Sequence, residues 1–310
     1  MQNTHFKGYT FSQLTLGTVQ LGMAYGISNT AGAPSAEESR NMLQYASGAG
    51  INTFDTARLY GNAEQVLADY LATVAPPHRV VSKFKISPAN TANLEGAWRE
   101  AEQSVRESLR VLNMPRLPVC LLHKGTEPMA DLMKILPEIL RRLKQEGLID
   151  IGGISAFCPE DVPHFLDEEI VEATQIPMNV MDQRLIRSGS LTRLQQYNKL
   201  VFVRSVFLQG LFFMEDDALK GNLRQAVPHL RQLRSLAAEA GMSIAQLAFS
   251  FIRDLPGVNS IVIGAVNTQQ VMQNVELLQG AAVPDQIKSR LAEVFSAVEE
   301  VVLTPLMWDK

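Results

Sequence analysis

Eight short apolar segments alternate with longer amphipathic stretches along this chain, and this alternation constrains the fold more than any other feature. The segments show little strict alternation of polar and apolar residues, as is typical of strands in a parallel sheet whose faces are covered. Strands and helices that alternate in this way require parallel pairing of the strands. The predicted strands lie at residues 14–16, 51–54, 79–82, 118–122, 151–154, 173–176, 200–203 and 260–263.

The stretches between these strands carry helix signals with recognisable ends. Ser35-Ala-Glu-Glu38 has the form of a capping box, in which Ser35 accepts a hydrogen bond from a backbone N–H group and Glu38 reaches back to the cap. It predicts a helix that runs through Tyr45 and stops near residues 48–50. Other helices are predicted around residues 62–73, 98–112, 140–148, 230–240, 243–254 and 268–279.

Eight parallel strands favour a closed (β/α)8 barrel. A doubly wound open sheet is the alternative, but it would usually show a glycine-rich phosphate turn after its first strand. Gly17-Thr-Val-Gln-Leu-Gly22 lacks the spacing of that fingerprint. Barrels often reach this length as one domain, and no linker or low-complexity segment interrupts the chain. The sequence therefore predicts an α/β protein, a single-domain TIM barrel over residues 1–310.

Charge and hydropathy argue against several classes of protein. A net charge of −4 and a pI of about 5.8 give no electrostatic footprint for nucleic acid. The first residues lack a basic and apolar leader, and no apolar run reaches transmembrane length, so a cytoplasmic protein without a membrane partner is expected. Cys120 and Cys158 have no partner at metal-ligand spacing, which predicts reduced thiols and no metal site.

Polar or ionisable residues follow most of the predicted strands at the point where the apolar run stops. In a β/α barrel these carboxyl ends meet on one rim, which is where active sites lie. Each residue alone has an ordinary interpretation, since an aspartate often caps a helix and a lysine is often solvated. An aspartate, a lysine and a histidine at three of the first four strand ends together indicate an active site. The residues are Thr18, Asp55, Lys83, His123, Ser155, Gln175 and Arg204.

Residues 51–64 read INTFDTARLYGNAE and resemble the signature of the aldo-keto reductase family. In that signature a strand ends in Phe-Asp-Thr-Ala, a Tyr-Gly pair follows, and an acid, here Glu64, comes next. The resemblance continues in the same order over nearly the whole chain, at Lys83, His123, Gly153-Ile-Ser155, Gln175, Asn179, Gly264-Ala265 and Asn274.

The resemblance implies a catalytic tetrad of Asp55, Tyr60, Lys83 and His123 and an enzyme that moves hydride between a nicotinamide cofactor and a small carbonyl or alcohol. Hydride delivered to a carbonyl carbon leaves an alkoxide that needs a proton, which Tyr60 would donate. An isolated tyrosine, with a pKa of about 10, is a reluctant donor near neutral pH. Lys83 would therefore stabilise the phenolate, Asp55 would hold Lys83, and His123 would donate to the carbonyl oxygen. Lys85 is a rival to Lys83 but lies beyond the strand end.

The resemblance also implies cofactor contacts at the strand ends, beginning with Gly17, Thr18 and Asp55. Ser155 and Gln175 stand where the family binds the nicotinamide amide, although Ala156 replaces the usual asparagine after that serine. Arg204 replaces a tyrosine that commonly stacks on the nicotinamide. Its planar guanidinium would cover the ring, or else pair with an acid of the rim. The pyrophosphate is expected to lie under Ser205, Leu208 and Gly210.

Residues 263–276 resemble the turn and helix with which the family binds adenosine. Gly264 would turn the chain, the helix start would face a phosphate, and Asn274 would reach the adenine. Family members that prefer NADP usually carry an arginine or lysine here, whereas Asn267 and Gln270 donate neutral hydrogen bonds only. Unless Lys220 or Arg224 folds over the site, we expect NAD(H) and NADP(H) to be used with weak discrimination.

Two other functions remain open from the sequence. A regulatory subunit that senses its cofactor would share this barrel, as the β-subunits of potassium channels do. An unrelated barrel enzyme would instead show glycine-rich phosphate loops after the last two strands, which are absent. The loops at residues 22–34, 124–127 and 212–221 name no substrate, although Met23, Tyr25 and Ile27 suit a sugar or a small aldehyde without strong charge.

Overall fold

The computed structural model describes residues 2–75 and 77–309, so that Met1, Pro76 and Lys310 of the predicted domain lie outside it. A two-stranded antiparallel hairpin, β1 (Asn3–Phe6) and β2 (Tyr9–Ser12), precedes eight parallel strands. These are β3 (Leu14–Gly17), β4 (Thr53–Asp55), β5 (Arg79–Phe84), β6 (Leu117–His123), β7 (Ile149–Ser155), β8 (Ala173–Pro177), β9 (Leu200–Arg204) and β10 (Ser260–Gly264).

The eight strands follow one another in chain order, and β10 pairs with β3 to close the barrel. Gly264 lies opposite Gly17, and Gly17 opposite Asp55, so the carboxyl ends of β10, β3 and β4 lie side by side. Each predicted strand coincides with one strand of the barrel. The predicted (β/α)8 barrel is confirmed, and the open sheet is wrong.

Helices cover the outside of the barrel, and the predicted helical stretches correspond to several of them. The α-helices are α1 (Val19–Gly22), α2 (Ala36–Gly48), α3 (Ala63–Leu71), α4 (Leu94–Leu112), α5 (Met129–Leu132), α6 (Leu136–Gln145), α7 (Arg184–Arg187), α8 (Ser190–Gln196), α9 (Val227–Glu239), α10 (Ile244–Arg253), α11 (Thr268–Glu276), α12 (Asp285–Val294) and α13 (Glu300–Leu303). Short 3-10 helices lie at Pro88–Asn90, Pro159–His164, Leu208–Phe213, Asp216–Ala218, Gly221–Ala226, Leu277–Gln279 and Pro305–Met307.

No single helix of the described ranges is long and apolar enough to cross a membrane. Only one pair of neighbouring helices has the combined length and hydropathy of a membrane span, and the two are bent by 85° relative to each other. The pair is Gly221–Glu239 and Ile244–Arg253. Their apolar side chains, including Leu233, Phe249 and Ile252, are buried in the core of the barrel.

The hairpin β1–β2 covers the amino-terminal end of the barrel and was not predicted. Phe11 is fully buried and packs edge to face on Phe202, with ring centroids 5.9 Å apart. The signal for it is a two-residue turn, Lys7-Gly8, in which both residues have positive φ, at 47° and 79°. Such turns match the twist of the strands they join. Closing this end leaves the opposite rim, where the strands end, as the open one.

The capping box predicted for α2 is only half formed. The Ser35 hydroxyl accepts a hydrogen bond from the backbone N–H of Glu38 at 3.1 Å, as expected. The Glu38 carboxylate does not reach back to Ser35. It accepts a hydrogen bond from the backbone N–H of Thr268, the first residue of α11. The prediction for Glu38 is therefore wrong, because a tertiary partner 230 residues away in the chain has replaced the local one.

Candidate active site

Lys83 and Asp55 form a buried ion pair at the carboxyl ends of β5 and β4. The Lys83 Nζ donates to Asp55 Oδ1 at 2.6 Å, to the Thr56 carbonyl oxygen at 3.0 Å and to the Tyr60 hydroxyl at 3.4 Å. Burial alone would lower the pKa of Lys83, but attraction to Asp55 and Tyr60 outweighs it, so that the pKa lies above its ordinary value of 10.5. Lys83 is therefore an ammonium ion that faces a tyrosine hydroxyl.

Asp55 is held from two other strands. Gln175 Nε2 donates to the same Oδ1 atom at 2.7 Å, and Ser155 Oγ donates to Gln175 Oε1 at 3.4 Å. The Thr18 hydroxyl donates to the backbone carbonyl of Asp55 at 2.9 Å. A buried carboxylate costs free energy unless it is paired and hydrogen-bonded. These bonds satisfy Asp55 and fix its orientation, and they also join the predicted nicotinamide contacts Ser155 and Gln175 to the ion pair.

The loop that carries Tyr60 is anchored by Glu64. The Glu64 carboxylate is buried and accepts hydrogen bonds from the hydroxyls of Ser82 at 2.7 Å and Ser108 at 2.8 Å. It also pairs with Arg58, two residues before Tyr60. The loop is therefore tied to β5 and α4 through one side chain. Ser82 and Ser108 were not singled out in the sequence, because neither lies in a motif and only the fold brings them to Glu64.

The backbone of Tyr60 also packs directly against α1. A Cβ atom added to Gly22 would lie 1.8 Å from the Tyr60 carbonyl oxygen, and one added to Gly61 would lie 2.3 Å from the Gly22 carbonyl oxygen. Gly61 has a φ of +57°, which is left-handed backbone. Only glycine permits this approach of two main chains. The contact sets the distance between Tyr60 and the first barrel strand.

We expect Gly22→Ala to destabilise the fold by about 1–3 kcal/mol, because the clash is with backbone atoms that cannot rotate away. The free energy of unfolding in urea measures this effect. Gly48→Ala is the matched control, since an added Cβ there meets no atom within 4 Å. That control should be neutral or slightly stabilising. Equal stability of the two variants would contradict the close approach at Gly22.

His123 ends β6 and faces Tyr60. The two ring centroids are 6.0 Å apart and the rings are perpendicular. Burial lowers the pKa of His123 from 6.5 to about 3, and the nearby charges of Lys83, Arg204 and Lys85 contribute. Its Nδ1 atom is buried and has no hydrogen-bond partner among the described residues. The imidazole is therefore neutral near pH 7, with one N–H group to donate.

Arg204 ends β9, and its guanidinium makes no ion pair with a carboxylate in the described ranges. Its guanidinium donates to the Ala156 carbonyl oxygen at 3.0 Å and to the Ser205 hydroxyl at 3.2 Å. The sequence left two roles open for Arg204, covering the nicotinamide ring or pairing with an acid of the rim. The structure does not show the pairing. The guanidinium instead lies along the wall of a cavity.

The loop after β9 adopts backbone conformations that are rare for residues with a Cβ atom. Ser205, Leu208 and Gln209 have φ values of 64°, 48° and 56°, and Gly210 has 91°. For a residue with a Cβ atom, this conformation costs about 1–3 kcal/mol of folding free energy, and residues in it cluster at functional sites. The loop meets the one after β3, where Gln209 Nε2 donates to the Tyr25 hydroxyl at 3.0 Å. Together the two loops form one side of the cavity.

The cavity has a volume of about 920 Å³ and extends from the polar cluster to α11. One face of α11 borders it, through Gln270, Gln273 and Asn274. Of the residues predicted for the site, those that line it are Gly17, Asp55, Tyr60, Gln175, Arg204, Ser205, Gly210, Gly264, Gln270 and Asn274.

The other predicted residues lie behind the cavity wall or at its edge. Thr18, Lys83, Ser155 and Leu208 are buried, and Asn267 caps α11 by accepting a bond from the Gln270 N–H at 2.9 Å. His123 is half-buried and is not among the lining residues, but its ring faces that of Tyr60, which is one of them. Lining residues that were not predicted for the site come largely from loops and helix starts, for which the sequence offers little signal. They include Gln20, Ser28, Phe207, Phe213 and Gln246.

The structure has the features of the β/α-barrel oxidoreductases. A buried Lys–Asp pair, a tyrosine and a neutral histidine lie on the carboxyl rim of the parallel barrel, beside an elongated cavity. The chain belongs to the Aldo/keto reductase family, whose model matches residues 13–293.

Similar proteins include both an oxidoreductase and a channel subunit. An uncharacterized oxidoreductase of Mycobacterium tuberculosis is 28% identical over 290 residues, which cover 85% of this chain and 83% of that protein. A probable voltage-gated potassium channel subunit beta of Oryza sativa is 24% identical over 301 residues, covering 86% of this chain and 88% of the relative.

Two solved structures show the same fold. An aldo-keto reductase from Bacillus halodurans in its holo form has a TM-score of 0.78 and 22% identity, and covers 97% of this chain and 99% of its own. An aldo/keto reductase from Klebsiella pneumoniae in complex with NADP and acetate has a TM-score of 0.69 and 21% identity, with 93% of each chain covered.

Proposed function

We propose that the protein is a nicotinamide-dependent oxidoreductase that interconverts a carbonyl group and an alcohol by hydride transfer, with Tyr60 as the general acid and base. One observation carries the proposal. The Tyr60 hydroxyl lies at the wall of a large cavity, 3.4 Å from an ammonium group that is itself paired with Asp55 at 2.6 Å. A tyrosine beside a buried cation is suited to give up and regain a proton.

The four rim residues divide the chemistry among them. Tyr60 donates its proton to the carbonyl oxygen during reduction and accepts one from the alcohol during oxidation. Lys83 stabilises the phenolate, and Asp55 and the Thr56 carbonyl hold the ammonium group in position. The neutral His123 donates a hydrogen bond to the carbonyl oxygen, where negative charge develops.

The cavity suits a dinucleotide, which when bound supplies or takes up the hydride. The Gln20 amide oxygen is buried at the cavity wall and has no hydrogen-bond partner in the described chain, as expected of a group that meets a polar ligand. The proposed cofactor contacts are Gly17, Thr18, Asp55, Ser155, Gln175, Arg204, Ser205, Leu208, Gly210, Gly264, Asn267, Gln270 and Asn274.

The proposed substrates are small neutral aldehydes, ketones or aldoses and the corresponding alcohols. Tyr25 and Phe213 line the cavity and are 38% and 48% exposed, so apolar and aromatic surface is available to a substrate without strong charge. A cytoplasmic location and the absence of membrane or nucleic-acid partners stay predictions.

A second candidate is a regulatory subunit that binds the cofactor and has little turnover. The similarity to the potassium channel subunit of Oryza sativa favours it. The tetrad favours the enzyme, because a sensor has no need of a proton donor next to a buried cation.

A panel of aldehydes, ketones and aldoses, assayed in both directions with NAD(H) and NADP(H), separates the two functions. We expect cofactor oxidation that depends on at least one carbonyl compound. Cofactor binding without turnover of any member of the panel would instead support the regulatory subunit.

A further inference from the structure

Three backbone N–H groups at the start of α11 and just before it are occupied by side chains of this chain. The Val266 N–H donates to Gln270 Oε1 at 3.0 Å, and the Gln270 N–H donates to Asn267 Oδ1 at 2.9 Å. The Thr268 N–H donates to the Glu38 carboxylate. Free amides at a helix start favour a bound anion. Here a fixed carboxylate from α2 already holds one of them.

The cavity wall beside this helix start carries no cation. Glu276, the last residue of α11, lines the cavity at the far end of that helix, and Arg204 is the only arginine or lysine among the cavity-lining residues of the described chain. Arg204 bonds the Ala156 carbonyl and lies close enough to His123 to lower its pKa, so it belongs to the catalytic part of the cavity. Lys220 and Arg224, which the sequence left as possible clamps, do not line the cavity.

We propose that Glu38 is a specificity-determining residue that favours NAD(H) over NADP(H), an inference that rests on the proposed function. The two cofactors differ only in the 2′-phosphate of the adenosine ribose, a concentrated negative charge that arginine or lysine usually holds. Glu38 does not itself line the cavity, but Val266 and Gln270 line it on either side of Thr268, whose N–H the Glu38 carboxylate holds. A phosphate seated on the start of α11 would therefore meet the Glu38 carboxylate and no cation of the cavity wall. NAD(H) carries ribose hydroxyls there, which the neutral amides of Gln270 and Asn274 suit. The sequence alone predicts weak discrimination between the two cofactors, whereas the contact of Glu38 with α11 predicts a preference for NAD(H).

The test is the dissociation constant of NADH and of NADPH, measured by calorimetry at one salt concentration. Wild-type protein should bind NADH at least about 10-fold more tightly, a difference of about 1.4 kcal/mol. Glu38→Gln removes the charge and keeps an oxygen for the Thr268 N–H, so it should tighten NADPH binding by about 5-fold or more and leave NADH within about 2-fold. Glu37→Gln removes the neighbouring exposed charge of α2 and should change neither constant.

Ionic strength gives a second test that needs no variant. Repulsion between the 2′-phosphate and the fixed Glu38 carboxylate is screened by salt, so the preference of the wild-type protein for NADH should narrow as salt rises. A preference for NADPH, a preference that widens with salt, or a Glu38→Gln variant with an unchanged ratio would overturn the role of Glu38. Absence of binding by both nucleotides would overturn the proposed function itself, and this inference with it.

Discussion

Replacing Tyr60 with phenylalanine should lower the rate of carbonyl reduction by at least about 10²-fold, which is typical of the loss of a general acid. The substitution removes one oxygen atom and leaves the ring against His123, so neither the barrel nor the cavity should change. Single-turnover measurements of cofactor oxidation would isolate the chemical step from product release. Cofactor affinity, measured by fluorescence, should stay within about 2-fold, because a hydroxyl that acts on the substrate contributes little to cofactor binding.

Tyr197→Phe is the matched control for this variant. Tyr197 is 48% exposed at the end of α8 and lies outside the cavity lining, so its loss of a hydroxyl should not change turnover. If Tyr60→Phe kept most of its rate in single turnover, the proton would have to come from another group. His123 would be the next candidate, although its lowered pKa keeps it neutral.

Replacing Lys83 with methionine should produce the second large effect. The phenolate of Tyr60 would lose the cation 3.4 Å away, so alcohol oxidation should slow and its pH profile should move to higher pH. The pKa of Lys83 is raised above 10.5, so the charge of the pair is present throughout the neutral range. The stability that the pair contributes is lost only as pH rises through the raised pKa.

Asp55→Asn should shift the pH profile of alcohol oxidation in the same direction as Lys83→Met but by less, because the Lys83 ammonium group stays.

Removing one partner of a buried pair costs about 3–5 kcal/mol, so Lys83→Met needs a check of its fold by thermal unfolding. Lys83→Arg keeps the charge and separates loss of charge from loss of fold. Lys85→Met is the matched control, since Lys85 is exposed and makes no bond to Tyr60. A Lys83→Met profile identical to that of wild type would contradict the assignment.

The barrel could be predicted from sequence because its strands are short, apolar and bounded by polar residues at one end. A strand that ends at Asp55 or His123, or one residue past Lys83, shows both its boundary and the side chain that it presents to the rim. The four proposed catalytic residues came from the resemblance to the aldo-keto reductase signature, and their catalytic roles stay a proposal. The strand-end pattern alone indicated three of them, Asp55, Lys83 and His123, on one rim.

The parts that escaped prediction depend on contacts between distant segments. Glu38 reads locally as a capping residue, and nothing near it in the sequence reveals that it bonds Thr268. The loop after β9 adopts left-handed backbone at Leu208 and Gln209, and neither residue type indicates this conformation in a sequence. The two serines that bond Glu64 likewise lie in no recognisable motif. Each of these features is set by tertiary packing that outweighs local preference.

Transfer of deuterium tests the central claim most directly. NADH deuterated at C4, prepared separately as each of the two stereoisomers, would be incubated with a carbonyl compound that the protein reduces, and the alcohol analysed by mass spectrometry. The proposed mechanism predicts one deuterium on the former carbonyl carbon from one stereoisomer and none from the other. In single turnover, Tyr60→Phe should transfer deuterium more slowly than the wild-type protein. An alcohol without deuterium from either stereoisomer, or no alcohol from any carbonyl compound, would contradict it.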